Sequence, residues 1–299
     1  MRASLLAVAA LLVVHAEARA VDQATVHERA FWVSLRADGF KVPEGESPSK
    51  LALEAAALLG STDPELRDAI AYEAIETWVY REQRLDAAEL ERLRLTLSAN
   101  ARRGLGAAVG DELFWRSFST LALAVLAAED LKRPFLDAQR FDELVQLGID
   151  ALNNERDLRG YVPGKGWGHA TAHCADLLKF LARNPWLRPE QQRLIVNAIA
   201  GRLRSAGQVF VWGEDARLAA ALTSIASRND ADPAPFDAWF RQLSAEHTAL
   251  WSGPFDPVRY VPVRAQLNAL NAFAADLDSA SGASARISQS VRALRAAAQ

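Results

Sequence analysis

Apolar residues recur three and four positions apart along most of the chain, and no sustained run alternates Val, Ile, Thr or aromatic residues with polar ones. The first spacing is that of a helix with one buried face, the second that of a half-buried strand, so the chain is expected to be all-α. Pro, Gly, Asp and Ser cluster at Val42-Pro43-Glu44-Gly45, Ser61-Thr62-Asp63-Pro64, Tyr161 to Gly166, Asn184-Pro185 and Gly253 to Pro262. These breaks divide the sequence into about a dozen helices.

Asp63-Pro64-Glu65 is a strong helix start: the Asp side chain accepts from orphan backbone N–H groups, and Pro at the first helical position lacks the donor that would be orphaned there. Its helix carries Ile70, Ala74, Ile75, Trp78 and Val79; further helices are expected near Ala87 to Ala101, from Trp115-Arg116-Ser117, and over Ala138 to Leu152. Trp115-Arg116-Ser117, Trp167-Gly168-His169 and Trp212-Gly213-Glu214 each set a tryptophan just outside a predicted helix, at offsets of 52 and 45 residues. Asp63 and Pro262 extend the series in both directions. Helix pairs at about 40–47 residues per unit are the mark of HEAT-like repeats, so the expected architecture is an array of antiparallel helix pairs wound into an α-α superhelix. One pair cannot bury its apolar face alone; stacking lays equivalent positions side by side and turns periodicity into a site.

The first twenty residues have a different character. Arg2, an apolar run of ten from Leu5 to Val14, and Ala18-Arg19-Ala20 make a cleavable secretory signal, leaving residues 21–299 as a single α-helical repeat domain. Ten apolar residues are too few to span a bilayer, which needs about 20, so no transmembrane anchor is expected after cleavage and the location is periplasmic or secreted. Losing Arg2, Glu17 and Arg19 leaves 32 basic and 36 acidic residues, a balance that argues against a nucleic-acid partner. Cys174 is the only cysteine, so no intrachain disulfide can form.

The densest group of chemically capable residues is GKGWGHATAHCADLL, Gly164 to Leu178. His169, His173 and Asp176 fall within about 60° of one another around a helix. Two histidines four apart are the helical half of several zinc sites, which makes His169 and His173 candidate metal ligands. Asp176 lies too far along the axis to share one ion with both and is placed instead to orient His173; the third ligand would be Glu214 or Asp215 from the stacked neighbour. No glutamate stands between the histidines as it does in HExxH. A second reading places an anion at the helix N-termini with Lys165, Arg116 and Arg217 around it. A third is purely structural: Arg116, Asp176, Glu214 and Arg217 satisfy one another between helices. Cys174 reads as a small buried hydrophobe, and Trp167 and Trp212 as packing anchors that could also line a pocket. GKGWG lacks the GxxxxGK[ST] order of a nucleotide loop.

At these residues the chain resembles a bacterial family classified as domain of unknown function 2785. The matching segments are Ser61 to Ile75, RSFSTLALA at Arg116 to Ala124, RPFL at Arg133 to Leu136, ERDLRGYVPGKGWGHATAHCADLL at Glu155 to Leu178, WGEDARLA at Trp212 to Ala219 and, more weakly, Val263 to Leu277. The resemblance implies a helical fold, a motif holding His169, His173 and Asp176, and a second holding Glu214, Asp215 and Arg217; it implies no activity. The chain differs from the family pattern at Gly168, where alanine is familiar, and at Cys174, where glycine is familiar, and its export signal is unlike the cytosolic members.

The function expected from these features is a non-catalytic scaffold that binds a protein segment or small ligand at a polar site on its inner face, with no resident cofactor. The site is drawn from Arg116, Trp167, His169, His173, Asp176, Trp212, Glu214, Asp215 and Arg217. The competing expectation is a metal-dependent hydrolase using His169, His173 and Glu214 or Asp215, with zinc as the candidate ion.

Overall fold

A computed structural model describes residues 27–107, 109–280 and 282–298; the signal segment of residues 1–20 lies outside them. The all-α expectation holds, with helices over most of the described chain and one two-stranded hairpin, β1 (Tyr161–Val162) and β2 (Gly166–Trp167).

Helix α1 (Arg29–Ala37) and α2 (Pro48–Leu58) lead into a continuous helical stretch of three parts: a π-helical turn Glu65–Tyr72, α3 (Glu73–Glu76) and a second π-helical turn Thr77–Arg81. Then come α4 (Ala87–Ala101), α5 (Glu112–Lys132), α6 (Ala138–Asn154), α7 (Ala170–Arg183), α8 (Pro189–Ser205), α9 (Glu214–Ala226), α10 (Ala234–Leu250), α11 (Pro257–Ser279) and α12 (Ala285–Ala297). Local chemistry sets many of these limits. Asp86 accepts from Glu89 N at 2.8 Å while the Glu89 carboxylate accepts from Asp86 N at 2.9 Å, a capping box that starts α4 where the sequence places it. Asp137 and Asp256 cap α6 and α11 through Arg140 N and Val258 N, each at 2.9 Å.

The helices fall into two rows. The Glu65–Arg81 stretch, α5, α7, α9 and α11 pack one against the next; α2, α4, α6, α8, α10 and α12 do the same on the other side, and each pair in sequence joins the rows. One continuous apolar core, from Trp32 to Leu294, lies between them. The final helix is docked: Ile287, Val291 and Leu294 are buried, and Ser284 N donates to Ala226 O at 2.9 Å.

Two predicted helix starts move. Trp115 lies inside the first turn of α5, because the helix already begins at Glu112, and its indole covers Gly60 so closely that a Cβ there would fall 1.9 Å from a ring carbon. Pro262 lies inside α11, which begins five residues earlier at Pro257 behind the Asp256 cap. That Asp-Pro pair repeats the logic of Asp63-Pro64 and overrides the proline downstream.

Among the described residues no helix is long and apolar enough to cross a membrane.

Candidate functional site

The hairpin is the hinge on which the site hangs. Its turn folds back so that Gly168 N donates to Gly160 O at 2.7 Å and His169 N donates to Arg159 O at 3.0 Å. A Cβ on Gly168 would meet Arg159 O at 2.8 Å and Leu113 Cδ2 at 2.6 Å, so glycine here allows a close approach of the two chain segments. His169 is the N-cap of α7 at φ 54°, in the left-handed region that a non-glycine residue rarely enters. That conformation lays its imidazole flat on Trp167, with ring centroids 4.6 Å apart and planes 17° apart.

Arg67 fastens the hairpin to the body. It is fully buried between the rings of Phe114 (4.1 Å) and Phe118 (4.7 Å) and donates to Ser61 O (2.7 Å), Lys165 O (2.7 Å) and Trp167 O (3.3 Å). Burial pulls its guanidinium down to about 10, which leaves it charged at neutral pH.

The hydrogen bonds assign both imidazole tautomers. His169 Nε2 stands 3.0 Å from Trp212 O; a carbonyl can only accept, so Nε2 carries the proton. Ser117 Oγ touches Gly168 O, again an obligate acceptor, so its one proton goes there, and His173 Nδ1, 2.7 Å from the same Oγ, must donate to it. His173 Nε2 is therefore the lone-pair nitrogen, with no donor on it among the described residues. Burial, then the neighbouring His169 and Arg217, lower the His173 pKa to about 3; burial also lowers that of His169, against the pull of Glu214. Both rings are neutral at physiological pH.

Asp176, one turn on, is buried and accepts from Arg217 Nη1 and from Lys179 Nζ at 3.0 Å, tying α7 to α9. His173, Asp176, Lys179 and Arg217 line a cavity of about 390 Å³, whose opposite wall is Tyr72, Glu76 and Tyr80 from the first inner helix and Leu121 and Val125 from α5. Burial, reinforced by Glu76 and Asp176, pushes the Tyr72 hydroxyl well above the usual phenol range, so it remains a donor. Neither tyrosine hydroxyl has a hydrogen-bond partner among the described residues. A wider groove of about 770 Å³ opens at the C-terminal ends of α7, α9 and α11; it contains none of the predicted site residues, and its Arg228 and Asp230 pair with each other at 2.7 Å.

The remaining predicted residues divide. Trp167 and Trp212 meet edge to face at 5.7 Å, with Tyr161 against both, and form an exposed aromatic rim beside His169. Glu214 is buried, accepts from Trp212 N at 2.9 Å and lies 3.7 Å from His169 Nε2. That is the nitrogen already donating to Trp212 O, so Glu214 faces the protonated side of the ring and not its lone pair. Asp215 turns back on its own helix, accepting from Ala216 N at 3.0 Å. Arg116 does not enter the cavity: it forms a buried bidentate pair with Glu155 (2.7 and 3.0 Å) and donates to Arg103 O (2.9 Å) and Gly104 O (3.3 Å). His169 and His173 have ring centroids 5.8 Å apart, and no group of three His, Cys, Asp or Glu placed to hold one metal ion occurs among the described residues.

The sequence reading missed Tyr72, Glu76, Tyr80 and Lys179. Their signal was present: Tyr72, Glu76 and Tyr80 recur every four residues on a helix otherwise rich in buried apolar groups, and Lys179 follows Asp176 by three.

Fold and site together define a mainly α-helical protein with an amphipathic cavity lined by the Glu65–Arg81 stretch, α5, α7 and α9. Residues 103–269, more than half of the chain, match the model of the family described as protein of unknown function DUF2785, and the chain belongs to that family. No curated protein and no solved structure matches it.

Proposed function

We propose that this is an exported helical-repeat protein whose HEAT-like stack binds a small ligand, without catalysis, in the cavity between the Glu65–Arg81 stretch, α5, α7 and α9. The observation that carries this reading is the distribution of unmet polar capacity. Arg116, Glu155 and Glu214 are satisfied by protein partners, whereas the Tyr72 and Tyr80 hydroxyls and His173 Nε2, all bordering one cavity, are not. Binding sites pair an apolar wall with a few such groups, and a few hundred Å³ is the usual volume for a small molecule and too little for a protein segment.

The test is a thermal-shift survey with a mixed small-molecule library on the wild type and on Ala124→Trp, which puts an indole into the cavity from buried α5 and counts only once its own cooperative melt shows that it folds. The expected result is a set of compounds that stabilise the wild type alone; compounds that shift both proteins equally, or none that shifts the wild type, refute the reading. Export is checked on the secreted or periplasmic fraction, where the mature chain should begin at Val21. Stoichiometric zinc in the purified protein, lost in the His169→Ala, His173→Ala double variant, would replace this reading with the hydrolase.

A further inference from the structure

We infer that the ligand of this cavity is a small organic monoanion that carries a hydroxyl or N–H donor on an apolar body, such as an aryl hydroxycarboxylate. The inference rests on the binding reading above and adds the chemical class.

Charge is the first constraint. Asp176 faces two cations, Arg217 and Lys179, and can neutralise only one. The other acid of the cavity, Glu76, is already matched by Arg81 at 2.7 Å. The four charged residues that line the cavity balance in sum, but Glu76 pairs with Arg81 outside the lining, whereas Lys179 and Arg217 share Asp176 alone, so the Lys179–Arg217 end is its more positive side. Arg217 spends a single N–H on Asp176 and its side chain is 51% exposed, so the rest of its donor fork is open for a second carboxylate. A cationic ligand would meet repulsion on that side.

Hydrogen-bond direction is the second. Because Ser117 gives its proton to Gly168 O, the His173 ring offers the cavity an acceptor and no donor, and burial keeps it neutral rather than letting it become a cation. A ligand that reaches His173 must bring its own proton. Tyr72 and Tyr80 supply hydroxyls that can either donate or accept, and Leu121, Val125 and Phe180 supply the apolar wall. The cavity's own volume limits the occupant to about 10–20 heavy atoms, within the range of small-ligand pockets.

The experiment is a matched set of probes titrated into the full mature chain by ligand-observed NMR and calorimetry: mandelate, phenylacetate (hydroxyl removed), mandelamide (charge removed) and 2-amino-1-phenylethanol (charge reversed). The set is extended by the same four changes on larger aryl acids. Mandelate-type members are expected to bind about tenfold or more tightly than their amide counterparts, which lose a charge-assisted hydrogen bond, and about threefold to tenfold more tightly than their phenylacetate counterparts, which lose a neutral one to His173. Amines are expected not to bind. Arg217→Gln should erase the preference for acid over amide, and Arg217→Glu should reverse it toward amines; because Arg217 also pairs with buried Asp176, both variants should melt lower than the wild type, and a cooperative melt with a wild-type far-UV spectrum certifies the fold. Equal binding of acids and amides, or an Arg217→Gln variant that keeps the preference, overturns the class. In that event, neutral members still displaced by Ala124→Trp leave the cavity reading standing; if no member of any charge is sensitive to Ala124→Trp, both fall.

Discussion

Replacing Arg116 separates a structural residue from a functional one. In Arg116→Met the volume is kept and the charge lost, so Glu155 remains as a buried carboxylate, and the carbonyls of Arg103 and Gly104 lose their donor. Removing one partner of a buried ion pair costs about 3–5 kcal/mol. The lower end applies here, because Glu155 Oε1 still accepts from Arg156 N and Asp157 N, both at 2.9 Å. A loss of about 3 kcal/mol lowers the melting temperature of a chain this long by roughly 6–10 °C. Urea unfolding followed by tryptophan fluorescence and far-UV circular dichroism measures it, coincident curves licensing a two-state fit. The double variant Arg116→Met, Glu155→Leu should recover most of the loss, because neither charge is then stranded. Ligand binding in the cavity should not change in either variant. A cost below about 1 kcal/mol, no rescue by the second substitution, or loss of ligand binding at unchanged stability would refute the assignment of Arg116 to the frame.

Two further outcomes follow from burial. The His173 pKa is about 3 when folded and 6.5 when free, so the unfolded chain binds more protons between those values; stability from this group is complete above pH 6.5 and declines toward pH 3, by at most about 1.4 kcal/mol per unit. His173→Phe should flatten the part of that slope which His169 does not supply, and a pH–stability curve identical to the wild type would contradict the buried neutral ring. Cys174 donates to Gly148 O at 3.1 Å and burial pushes its thiol up to about 12, so a disulfide reagent should leave the native protein untouched and titrate one thiol in denaturant; prompt modification of the native chain would contradict the packing of α7 on α6.

How much of this was legible in the sequence depends on whether the information was local. The start and end of α4 were, because Asp86 and Glu89 form a capping box within four residues and polarity changes beyond Ala101. So were the starts of α7 and α9 just after Trp167 and Trp212, where Gly168 and Gly213 break the helix. Trp115 misled because its partner, Gly60, lies 55 residues away and says nothing about where a helix begins. Pro262 misled because a proline near a helix start is tolerated when a stronger cap, Asp256, precedes it. The nearness of His169, Glu214 and Arg217 to the His173 end of α7 was inferred from periodicity. Their roles were not, since a hydrogen bond's direction depends on which acceptor sits opposite, and Ser117, Gly168 and Trp212 acquire those positions only on folding. Arg116 shows the converse: its partner Glu155 belongs to a loop residue set that spacing along one helix face never samples.

The match to the family model begins at residue 103, and Arg67, Tyr72, Glu76 and Tyr80 all precede it. The early helix therefore acts as a shutter hung from the front of the molecule: it closes one side of the chamber and, through a single guanidinium, latches the hairpin that holds His169 in its left-handed pose. Loss of this stretch would take that wall and the latch away together. The residues that give the chamber its character are kept in order by a segment on the N-terminal side of the matched residues.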